Sequence, residues 1–273
     1  MATKPVPPRP APRLYLATPD VDDPSQLAAS LPDLLAAADV AAVLLRLKQT
    51  DQRTMISHIK ALAPAVQNGG AALLLDGHAE LVARGGADGA HLSGIAAMQE
   101  ALPSLKPDRI AGVGGLATRH DSMAAGELGA DYVLFGEPDA NGQRPAVEAI
   151  AERLQWWDEL FEPPCVGFAV SREEASEFAA AGADFVLVGD FIWTDSRGAK
   201  AALIDVEQAI RQAHAATFGK ARTGHGGTSS FSARNPTARS APWERSTARR
   251  IFRITGNSRL MIRTGHPASW ATR

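Results

Sequence analysis

The sequence has one cysteine, no long apolar segment and no apolar stretch near its start. A single cysteine excludes a disulfide framework and a metal cluster bound by cysteines. The apolar neighbours of this residue, Cys165, predict that it is buried in a strand and is not a reactive thiol. No apolar run approaches the ~18 residues that a transmembrane helix needs. Residues 4–12 are rich in proline and lack the apolar core of a signal peptide. We therefore expect a cytoplasmic protein with an extended lead-in over residues 1–12.

Charge is divided unevenly along the 273 residues. Residues 216–273 contain 11 of the 28 lysines and arginines but one of the 30 acidic residues, so an acidic body carries a basic tail. The tail is rich in Ser, Thr, Arg, Gly and Pro and has no lasting periodicity. This composition predicts disorder because the segment cannot bury enough apolar surface. A tail of this charge can bind nucleic acid through phosphates, and a non-native or frame-shifted stretch is the alternative explanation.

The rest of the chain is organised around a tripeptide that occurs three times, as Gly86-Ala87-Asp88, Gly129-Ala130-Asp131 and Gly182-Ala183-Asp184. Each copy closes a helical pattern and opens an apolar run of about four residues, and its glycine can take the left-handed conformation that ends a helix. Runs that are apolar on both faces are typical of parallel strands covered by helices. A helix–strand unit that recurs every ~45 residues indicates an α/β repeat.

Eight strands are predicted over residues 13–215, each followed by a helix. The strands are predicted at 14–18, 41–45, 71–75, 89–92, 110–113, 132–135, 165–168 and 185–188. The helix over 144–160 is predicted to be the longest, and the closing helix is predicted over 203–215. The fold class is therefore α/β, a (β/α)8 TIM barrel with a disordered basic C-terminal tail, and a doubly wound sheet is the alternative.

In such a barrel the chemistry lies at the carboxyl ends of the strands, where the sequence places a few polar side chains. Arg46 and Lys48 follow the second strand and suit a phosphate or pyrophosphate, although two solvated cations on a loop would give the same pattern. Asp76 follows the third strand and can hold Mg²⁺ or cap the next helix. His91 lies inside the fourth strand, either as a substrate contact or as a core histidine.

The order of these motifs resembles the thiamine phosphate synthase/TenI family over about residues 13–215. The segments that carry the resemblance are Leu14–Thr18, Leu45–Lys48, Leu75-Asp76, Gly86–Leu92, Gly129–Gly136 and Gly182–Val188. The resemblance implies a (β/α)8 barrel. Synthases of the family join a pyrimidine pyrophosphate to a thiazole phosphate with Mg²⁺ and release pyrophosphate, whereas TenI members rearrange a thiazole tautomer. The resemblance also implies that Arg46 and Lys48 bind pyrophosphate and that Asp76 is a Mg²⁺ ligand.

Other positions depart from the family's pattern. This chain has Leu44 where the family has a Gln, Leu75 where it has an Asn, Ala96 where it has a second metal carboxylate, and Gly114 where it has a Ser. Residues 136–142 replace the family's Thr-x-Thr-Lys segment, Ala169-Val170 replaces its Gly-Gly, and Asp190 replaces its Ser. A phosphate bound after strands seven and eight needs open backbone N–H groups and no negative side chain. Val170 and Asp190 therefore weaken the expected thiazole phosphate site, and Glu137 and Asp139 add negative charge near it.

Two functions fit this pattern. The first is a thiamine phosphate synthase-like protein that condenses or binds a pyrimidine pyrophosphate and a thiazole phosphate at the barrel mouth. Arg46, Lys48 and His91 would be its substrate-binding residues and Asp76 would hold Mg²⁺. The second is a diverged non-synthase barrel that binds a small molecule, serves a regulatory role or acts on another phosphorylated substrate. The expected partner is a phosphorylated small molecule and not a membrane. The catalytic residue and a homo-oligomeric state are left open.

Overall fold

A computed structural model describes residues 9–139 and 141–219, in which eight parallel strands close into a barrel. The strands are β1 (Arg13–Ala17), β2 (Val40–Leu45), β3 (Ala72–Asp76), β4 (Gly89–Ser93), β5 (Ile110–Gly114), β6 (Tyr132–Phe135), β7 (Cys165–Phe168) and β8 (Phe185–Val188). Each strand pairs in parallel with its neighbours in sequence, and β8 pairs with β1. The predicted (β/α)8 barrel is confirmed, and the doubly wound alternative is wrong because this sheet closes on itself.

Helices follow the strands and cover the outside of the barrel. They are α1 (Ser25–Ala37), α2 (Gln52–Gln67), α3 (Ala79–Gly85), α4 (Gly94–Leu105), α5 (Arg119–Glu127), α6 (Val147–Leu160), α7 (Arg172–Ala180), α8 (Asp190–Trp193) and α9 (Ala199–Phe218). In the two described ranges, no helix is long and apolar enough to cross a membrane.

The helix predictions differ from the structure near the end of the chain. Among the described residues the longest helix is α9, with 20 residues, and not α6, with 14. α6 begins after Arg144 because that side chain turns back to the carbonyls of Gly136 and Phe168, which leaves this stretch as a loop. α9 ends at Phe218, three residues past the predicted end. α8 was not predicted, since four residues carry no periodic signal.

Parts of the predicted lead-in and tail lie outside the described residues. The excluded parts are residues 1–8 of the lead-in and everything from residue 220 onward in the tail. Arg9, which belongs to the lead-in, donates to the carbonyl of Gly182 (2.6 Å) and forms ion pairs with Asp158 and Asp184. The end of the lead-in is therefore attached to the amino-terminal side of β8.

The repeated tripeptide has the backbone conformation that the sequence predicts. Its glycines, Gly86, Gly129 and Gly182, have φ angles of 81°, 93° and 97°, which lie in the left-handed region that favours glycine. Two of them, Gly86 and Gly129, donate their N–H back to the last turn of the preceding helix. Each glycine thus ends a helix and turns the chain into the next strand.

The aspartate of each tripeptide fastens neighbouring strands together. Each carboxylate accepts the N–H of the first or second residue of the strand before its own. The pairs are Asp88 with Leu73 (2.8 Å), Asp131 with Ala111 (2.7 Å) and Asp184 with Cys165 (2.9 Å). These contacts join β3 to β4, β5 to β6 and β7 to β8 at the amino-terminal end of the barrel. The tripeptides therefore belong to the scaffold and lie away from the carboxyl ends of the strands.

The core has one apolar layer inside the barrel and another between the sheet and the helices. The inner layer contains Tyr15 and Tyr132, and Phe168 packs partly buried at its edge. A side chain on Gly112 would overlap the Tyr132 ring, so the glycine makes room for that ring. Cys165 is fully buried in the outer layer, as predicted, and burial raises the pKa of its thiol. The inner layer thereby brings two phenol hydroxyls into the barrel interior.

Candidate active site at the barrel mouth

Arg46 follows β2, and its side chain lies across the mouth of the barrel. Its Nη1 is 3.2 Å from Oδ1 of Asp190, after β8, and its Nε is 3.9 Å from Oδ2 of Asp76, at the end of β3. The backbone N–H of Arg46 donates to the buried hydroxyl of Thr18 (3.1 Å). Two carboxylates therefore hold the guanidinium at the mouth. A bound anion can compete with them, because partly exposed ion pairs contribute little.

Lys48 lies further out on the same loop. Its Nζ is 2.9 Å from Oδ2 of Asp22, and both side chains are largely exposed, at 62% and 74%. The backbone N–H of Lys48 donates to the carbonyl of Val21, which fixes this part of the loop against the segment after β1. The structure therefore places Lys48 near the loop after β1, whereas Arg46 turns toward β3 and β8.

Asp76 is the last residue of β3 and lies beside His91 in the register of β3 and β4. Burial raises the pKa of the Asp76 carboxyl, while the charges of His91 and Arg46 act in the opposite direction. Its side chain is 46% exposed, so the carboxylate can be reached from the mouth. In the described part of the chain, no group of three His, Cys, Asp or Glu side chains could hold a metal. A metal at Asp76 would need oxygen ligands from a bound substrate.

His91 lies inside the barrel, and both of its ring nitrogens are engaged. Nδ1 is 3.0 Å from the hydroxyl of Tyr132, and Nε2 is 3.0 Å from Oε1 of Glu137. The imidazole and the Tyr132 ring are nearly parallel, with centroids 5.8 Å apart. Only 2% of the His91 side chain is exposed, so its connection to the mouth runs through Glu137. The structure thus places His91 in the core, as one of the two interpretations expected.

Glu137 follows β6 and connects this buried histidine to the mouth. Its Oε1 contacts His91, its Oε2 accepts the N–H of Gly115 (2.9 Å), and 23% of the side chain is exposed. The sequence identified Glu137 as an added negative charge but did not predict its contact with His91. Gly114 is the signal that could have revealed it, because the missing side chain leaves the space that the carboxylate occupies.

Two tyrosines that were not predicted as site residues extend this network into the barrel. The hydroxyls of Tyr15 and Tyr132 are 3.1 Å apart, so the chain of contacts runs from Tyr15 through Tyr132 and His91 to Glu137. With a neutral imidazole, Tyr15 can donate to Tyr132, Tyr132 to Nδ1, and Nε2–H to Glu137. With a protonated imidazole both ring N–H groups donate, and the bond between the tyrosines reverses direction.

The charge of the network is set by burial and by the contact between His91 and Glu137. Burial lowers the pKa of His91, but the charge and hydrogen bond of Glu137 outweigh it, so that the pKa is raised above its ordinary value. Burial acts to raise the pKa of Glu137, but His91 and the N–H of Gly115 outweigh it and the pKa is lowered. Burial raises the pKa of both Tyr15 and Tyr132. The contact between His91 and Glu137 therefore shifts the pKa of each group in the direction that favours its charged form.

The end of β7 has its two backbone amides already engaged. The N–H of Ala169 donates to the carbonyl of Leu187 (2.9 Å), and the N–H of Val170 donates to Oε2 of Glu174 (3.0 Å). Arg144 holds Glu174 in turn through Nη1 (3.2 Å) and Nη2 (3.0 Å). The backbone amides of Ala169 and Val170, where the resemblance led us to expect Gly-Gly, are thus both engaged by contacts within the protein.

A cavity of about 410 Å³ lies next to the mouth rather than in it. The loop after β5, the loop after β6 and the first turns of α6 form its walls, and Glu137 lines one side. Arg153 also lines it and donates to the carbonyls of Leu116 and Ala117, so this cation closes part of the wall. None of the four site residues selected from the sequence lines this cavity.

Comparison with known proteins gives consistent matches. A family model described as thiamine monophosphate synthase matches residues 14–170. A thiamine-phosphate synthase from Rhodospirillum centenum is 39% identical over 202 residues, which cover 73% of this chain and 98% of that protein. A thiamine-phosphate synthase from Hyphomonas neptunium is 36% identical over 204 residues, which cover 72% of this chain and 92% of that protein.

Two solved structures share the fold at low sequence identity. A thiamine phosphate pyrophosphorylase from Pyrococcus furiosus has a TM-score of 0.60 and 19% identity, covering 74% of this chain and 96% of that one. A 3-hexulose-6-phosphate synthase from Salmonella typhimurium has a TM-score of 0.57 and 16% identity, and the match covers 74% of this chain and 100% of that one. The family match spans more than half of the chain, and the first relative is matched over nearly its whole length. This chain belongs to the thiamine monophosphate synthase/TenI family.

Proposed function

We propose that this protein acts in thiamine biosynthesis as a synthase-type transferase that joins a pyrimidine pyrophosphate to a thiazole phosphate at the barrel mouth. The observation that carries the proposal is the position of Arg46 between the ends of β2, β3 and β8, beside the carboxylate of Asp76. A cation and a carboxylate in this arrangement suit a Mg²⁺-bound pyrophosphate leaving group. The reaction is a substitution at the pyrimidine methylene carbon, in which pyrophosphate leaves.

The pyrophosphate is bound by Arg46 and Lys48 in this proposal. Arg46 has a planar guanidinium that can form two parallel hydrogen bonds to phosphate oxygens. Its present partners are two carboxylates with side chains 46% and 82% exposed, and Lys48 is paired with a largely exposed aspartate. Because exposed pairs of this kind contribute about 0–1 kcal/mol, both cations can exchange them for a phosphate oxygen.

Mg²⁺ fits Asp76 as a single protein carboxylate. The carboxylate is reachable from the mouth, and its contact with Arg46 is long at 3.9 Å. Mg²⁺ commonly uses one or two protein carboxylates and takes its other ligands from substrate phosphates and water. When bound, the ion would neutralise charge that develops on the leaving pyrophosphate.

His91 supports the substrate through Glu137 in this proposal. Both imidazole nitrogens already have partners, so a substrate meets the Glu137 carboxylate before it meets the histidine. The network that ends at Tyr15 fixes that carboxylate at the floor of the mouth. Such fixed groups hold a substrate in the reactive orientation more effectively than mobile ones.

Calorimetry with the pyrimidine pyrophosphate and Mg²⁺ tests the proposal on the full chain. We expect heat of binding that requires Mg²⁺ and weakens strongly in Arg46→Ala. Arg84→Ala is the matched control, since Arg84 is an exposed arginine on α3 whose side chain contacts Gln52. Absence of heat at millimolar ligand would contradict the proposal.

The alternative is a diverged barrel without synthase activity that binds a small molecule or acts on another phosphorylated substrate. The closed amides after β7 and the acidic groups at the mouth favour it. Complementation of a thiamine auxotroph distinguishes the two functions. Growth without thiamine at a near-normal rate supports the synthase, whereas no growth with a well-expressed protein supports the alternative.

Three further expectations stay predictions. They are a cytoplasmic location, a homo-oligomeric state and binding of nucleic acid by the basic tail, which lies outside the described residues. Retention on a polyanion column that falls steeply with salt, and that is lost without the tail, would support the last of them.

A further inference from the structure

Arg46 and Asp76 continue the inward-facing rows of their strands. The inner core layer contains Leu44 on β2 and Leu74 on β3, each two residues before one of these polar side chains. Side chains two residues apart on a strand lie on the same face of the sheet, so Arg46 and Asp76 extend from the inner face at the mouth. The distance of 3.9 Å between Nε of Arg46 and Oδ2 of Asp76 agrees with this placement. The pyrophosphate site of the proposed function therefore lies directly above the inner core layer.

His91 and Glu137 reach the same space from β4 and from the loop after β6. His91 lies beside Asp76 in the register of β3 and β4, and its Nε2 is 3.0 Å from Oε1 of Glu137. A Cβ atom on Gly114, at the end of β5, would overlap Oε2 of Glu137. The Glu137 carboxylate therefore lies close to the ends of β4 and β5, within the ring of strand ends that also carries Arg46 and Asp76.

The electrostatic interactions among these groups support a common location. Burial raises the pKa of Tyr15 inside the barrel, the charges of Asp76 and Glu137 act in the same direction, and the charge of Arg46 acts in the opposite direction. All three charged groups thus lie near one buried phenol. Because β6 lies across an eight-stranded barrel from β2, Glu137 faces the pyrophosphate site from the opposite side of the mouth.

Glu137 presents hydrogen-bond acceptors to this space and no donor. Its Oε1 contacts His91 and its Oε2 accepts the N–H of Gly115, and each carboxylate oxygen keeps a further lone pair. The side chain is 23% exposed, so an incoming group can reach it. Since two contacts already fix the carboxylate, little conformational freedom is lost when a substrate binds. The part of a substrate that meets Glu137 must therefore carry an N–H or O–H donor.

We propose that Glu137 accepts a hydrogen bond from an amino group on the pyrimidine ring, and that this contact selects an aminopyrimidine pyrophosphate as the substrate. The inference rests on the proposed function and adds a substrate-binding residue to it. The pyrophosphate is bound at Arg46, and the ring extends from there across the mouth to the carboxylate. The inner core layer below, which includes Leu44, and the partly buried Phe168 at its edge offer apolar contacts to the ring.

The same carboxylate acts on the charge that develops during the reaction. Pyrophosphate leaves with the electron pair of its bond to the methylene carbon, so positive charge develops on that carbon and spreads into the ring and onto a conjugated amino group. The lone pair of the thiazole nitrogen forms the new bond to the carbon, and no proton is transferred. A carboxylate beside the amino group interacts more strongly with this charge than with the neutral ring, so Glu137 contributes to kcat as well as to binding.

The test compares two pyrimidine pyrophosphates, one with a ring amino group and one with hydrogen in its place. Each is given to the full chain with Mg²⁺ and the thiazole phosphate. We expect the wild type to use the aminopyrimidine with a kcat/KM that is higher by about tenfold or more, as a hydrogen bond to a charged group produces. Glu137→Gln keeps the size of the side chain and removes its charge. It should lower kcat/KM for the aminopyrimidine by about tenfold and for the other compound by less than about twofold.

Two further variants separate this contact from a structural effect. Glu100→Gln, on the exposed side of α4, is the matched control and should change neither value. Gly114→Ala adds no donor or acceptor but displaces the Glu137 carboxylate, so it should reproduce the selective loss even if Glu137→Gln does not fold.

The outcomes distinguish the inference from the proposed function. Equal use of both pyrimidines by the wild type would overturn the inference and leave the proposed function intact. Losses of equal size for both pyrimidines in Glu137→Gln and Gly114→Ala would overturn it as well, because a structural role would produce them. No product with either pyrimidine from folded wild-type protein would contradict the proposed function, and the inference would fail with it.

Discussion

The carboxylate of Glu137 occupies the space beside Gly114 that a side chain at position 114 would fill. A Cβ atom on Gly114 would overlap Oε2 of Glu137 and would come within 3.0 Å of Nε2 of His91. The glycine after β5 and the glutamate after β6 are therefore structurally coupled. Two departures from the family's pattern, which look unrelated in the sequence, form one arrangement in which a carboxylate reaches a buried histidine.

Gly114→Ser tests this coupling. The new side chain meets the flexible end of Glu137, so we expect the carboxylate to move away while the strand stays intact. Without its carboxylate partner, burial lowers the pKa of His91, and NMR titration of the imidazole should show a clear drop. Gly219→Ser is the control, because a Cβ atom there meets nothing within 4 Å. An unchanged His91 pKa in Gly114→Ser would contradict the coupling.

Glu137→Gln should change how stability depends on pH. His91 has a raised pKa in the folded state. Its contribution to the free energy of unfolding is therefore fully present below its unfolded pKa of about 6.5 and is lost as the pH rises through its folded pKa. Glu137 has a lowered pKa, so its contribution is present above about 4.3 and is lost as pH falls through the folded value. The free energy of unfolding of the wild type should therefore exceed that of Glu137→Gln most between these two pH values, by about 1–2 kcal/mol.

Urea unfolding of both proteins across this pH range measures the difference. The difference in the free energy of unfolding between wild type and Glu137→Gln should become smaller toward alkaline pH and toward strongly acidic pH. A gap that stays constant across the range would show that Glu137 acts through packing and not through its charge on His91.

Arg46→Ala should affect ligand binding far more than folding. We expect the variant to bind the pyrimidine pyrophosphate more weakly by about 1.5–3 kcal/mol, the range for a charge-assisted hydrogen bond. Its stability should change by less than about 1 kcal/mol, because Asp76 and Asp190 are substantially exposed and do not become buried unpaired charges. Thermal melts with and without pyrophosphate and Mg²⁺ measure both effects. A large drop in melting temperature, combined with no ligand-induced shift in the wild type, would identify Arg46 as a structural plug.

Asp88→Ala should affect folding far more than ligand binding, which is the opposite of the effect expected for Arg46→Ala. Its carboxylate accepts the N–H of Leu73 in a buried strand, so the variant leaves that donor without a partner at the amino-terminal end of the barrel. We expect a loss of stability of about 1–3 kcal/mol and unchanged affinity for the pyrimidine pyrophosphate. Chemical unfolding and calorimetry are the measurements, with the exposed Asp108→Ala as the control. Weakened ligand binding in folded Asp88→Ala would contradict the assignment of the tripeptides to the scaffold.

The strands could be predicted because each leaves a local signal. A glycine that ends a helix and an apolar run covered on both faces recur along the chain, and all eight strands lie within one residue of their predicted ends. α9 was predicted too short because its first turn follows Gly198, a residue that the pattern does not connect to the helix. α6 was predicted too long because Arg144 reaches carbonyls on two strands, a contact that depends on the closed barrel.

The site was only partly predictable because some of its contacts, like that of Arg144, form only in the closed barrel. Arg46 and Asp76 follow their strands directly, so a barrel necessarily brings them to one end. The partner of His91 comes from a loop 46 residues further along the chain, and no spacing rule links Glu137 to the histidine. The tyrosine hydroxyls come from β1 and β6, whose side chains meet only across the barrel interior. Contacts across a closed barrel depend on its register and on which small residues leave space.

The most direct test of the account is product formation by the purified full chain. The protein is mixed with the pyrimidine pyrophosphate, Mg²⁺ and the thiazole phosphate, and both the coupled product and the released pyrophosphate are measured. We predict equal amounts of coupled product and pyrophosphate for the wild type, and strongly reduced amounts for Arg46→Ala. Folded wild-type protein that forms no coupled product would contradict the proposed function.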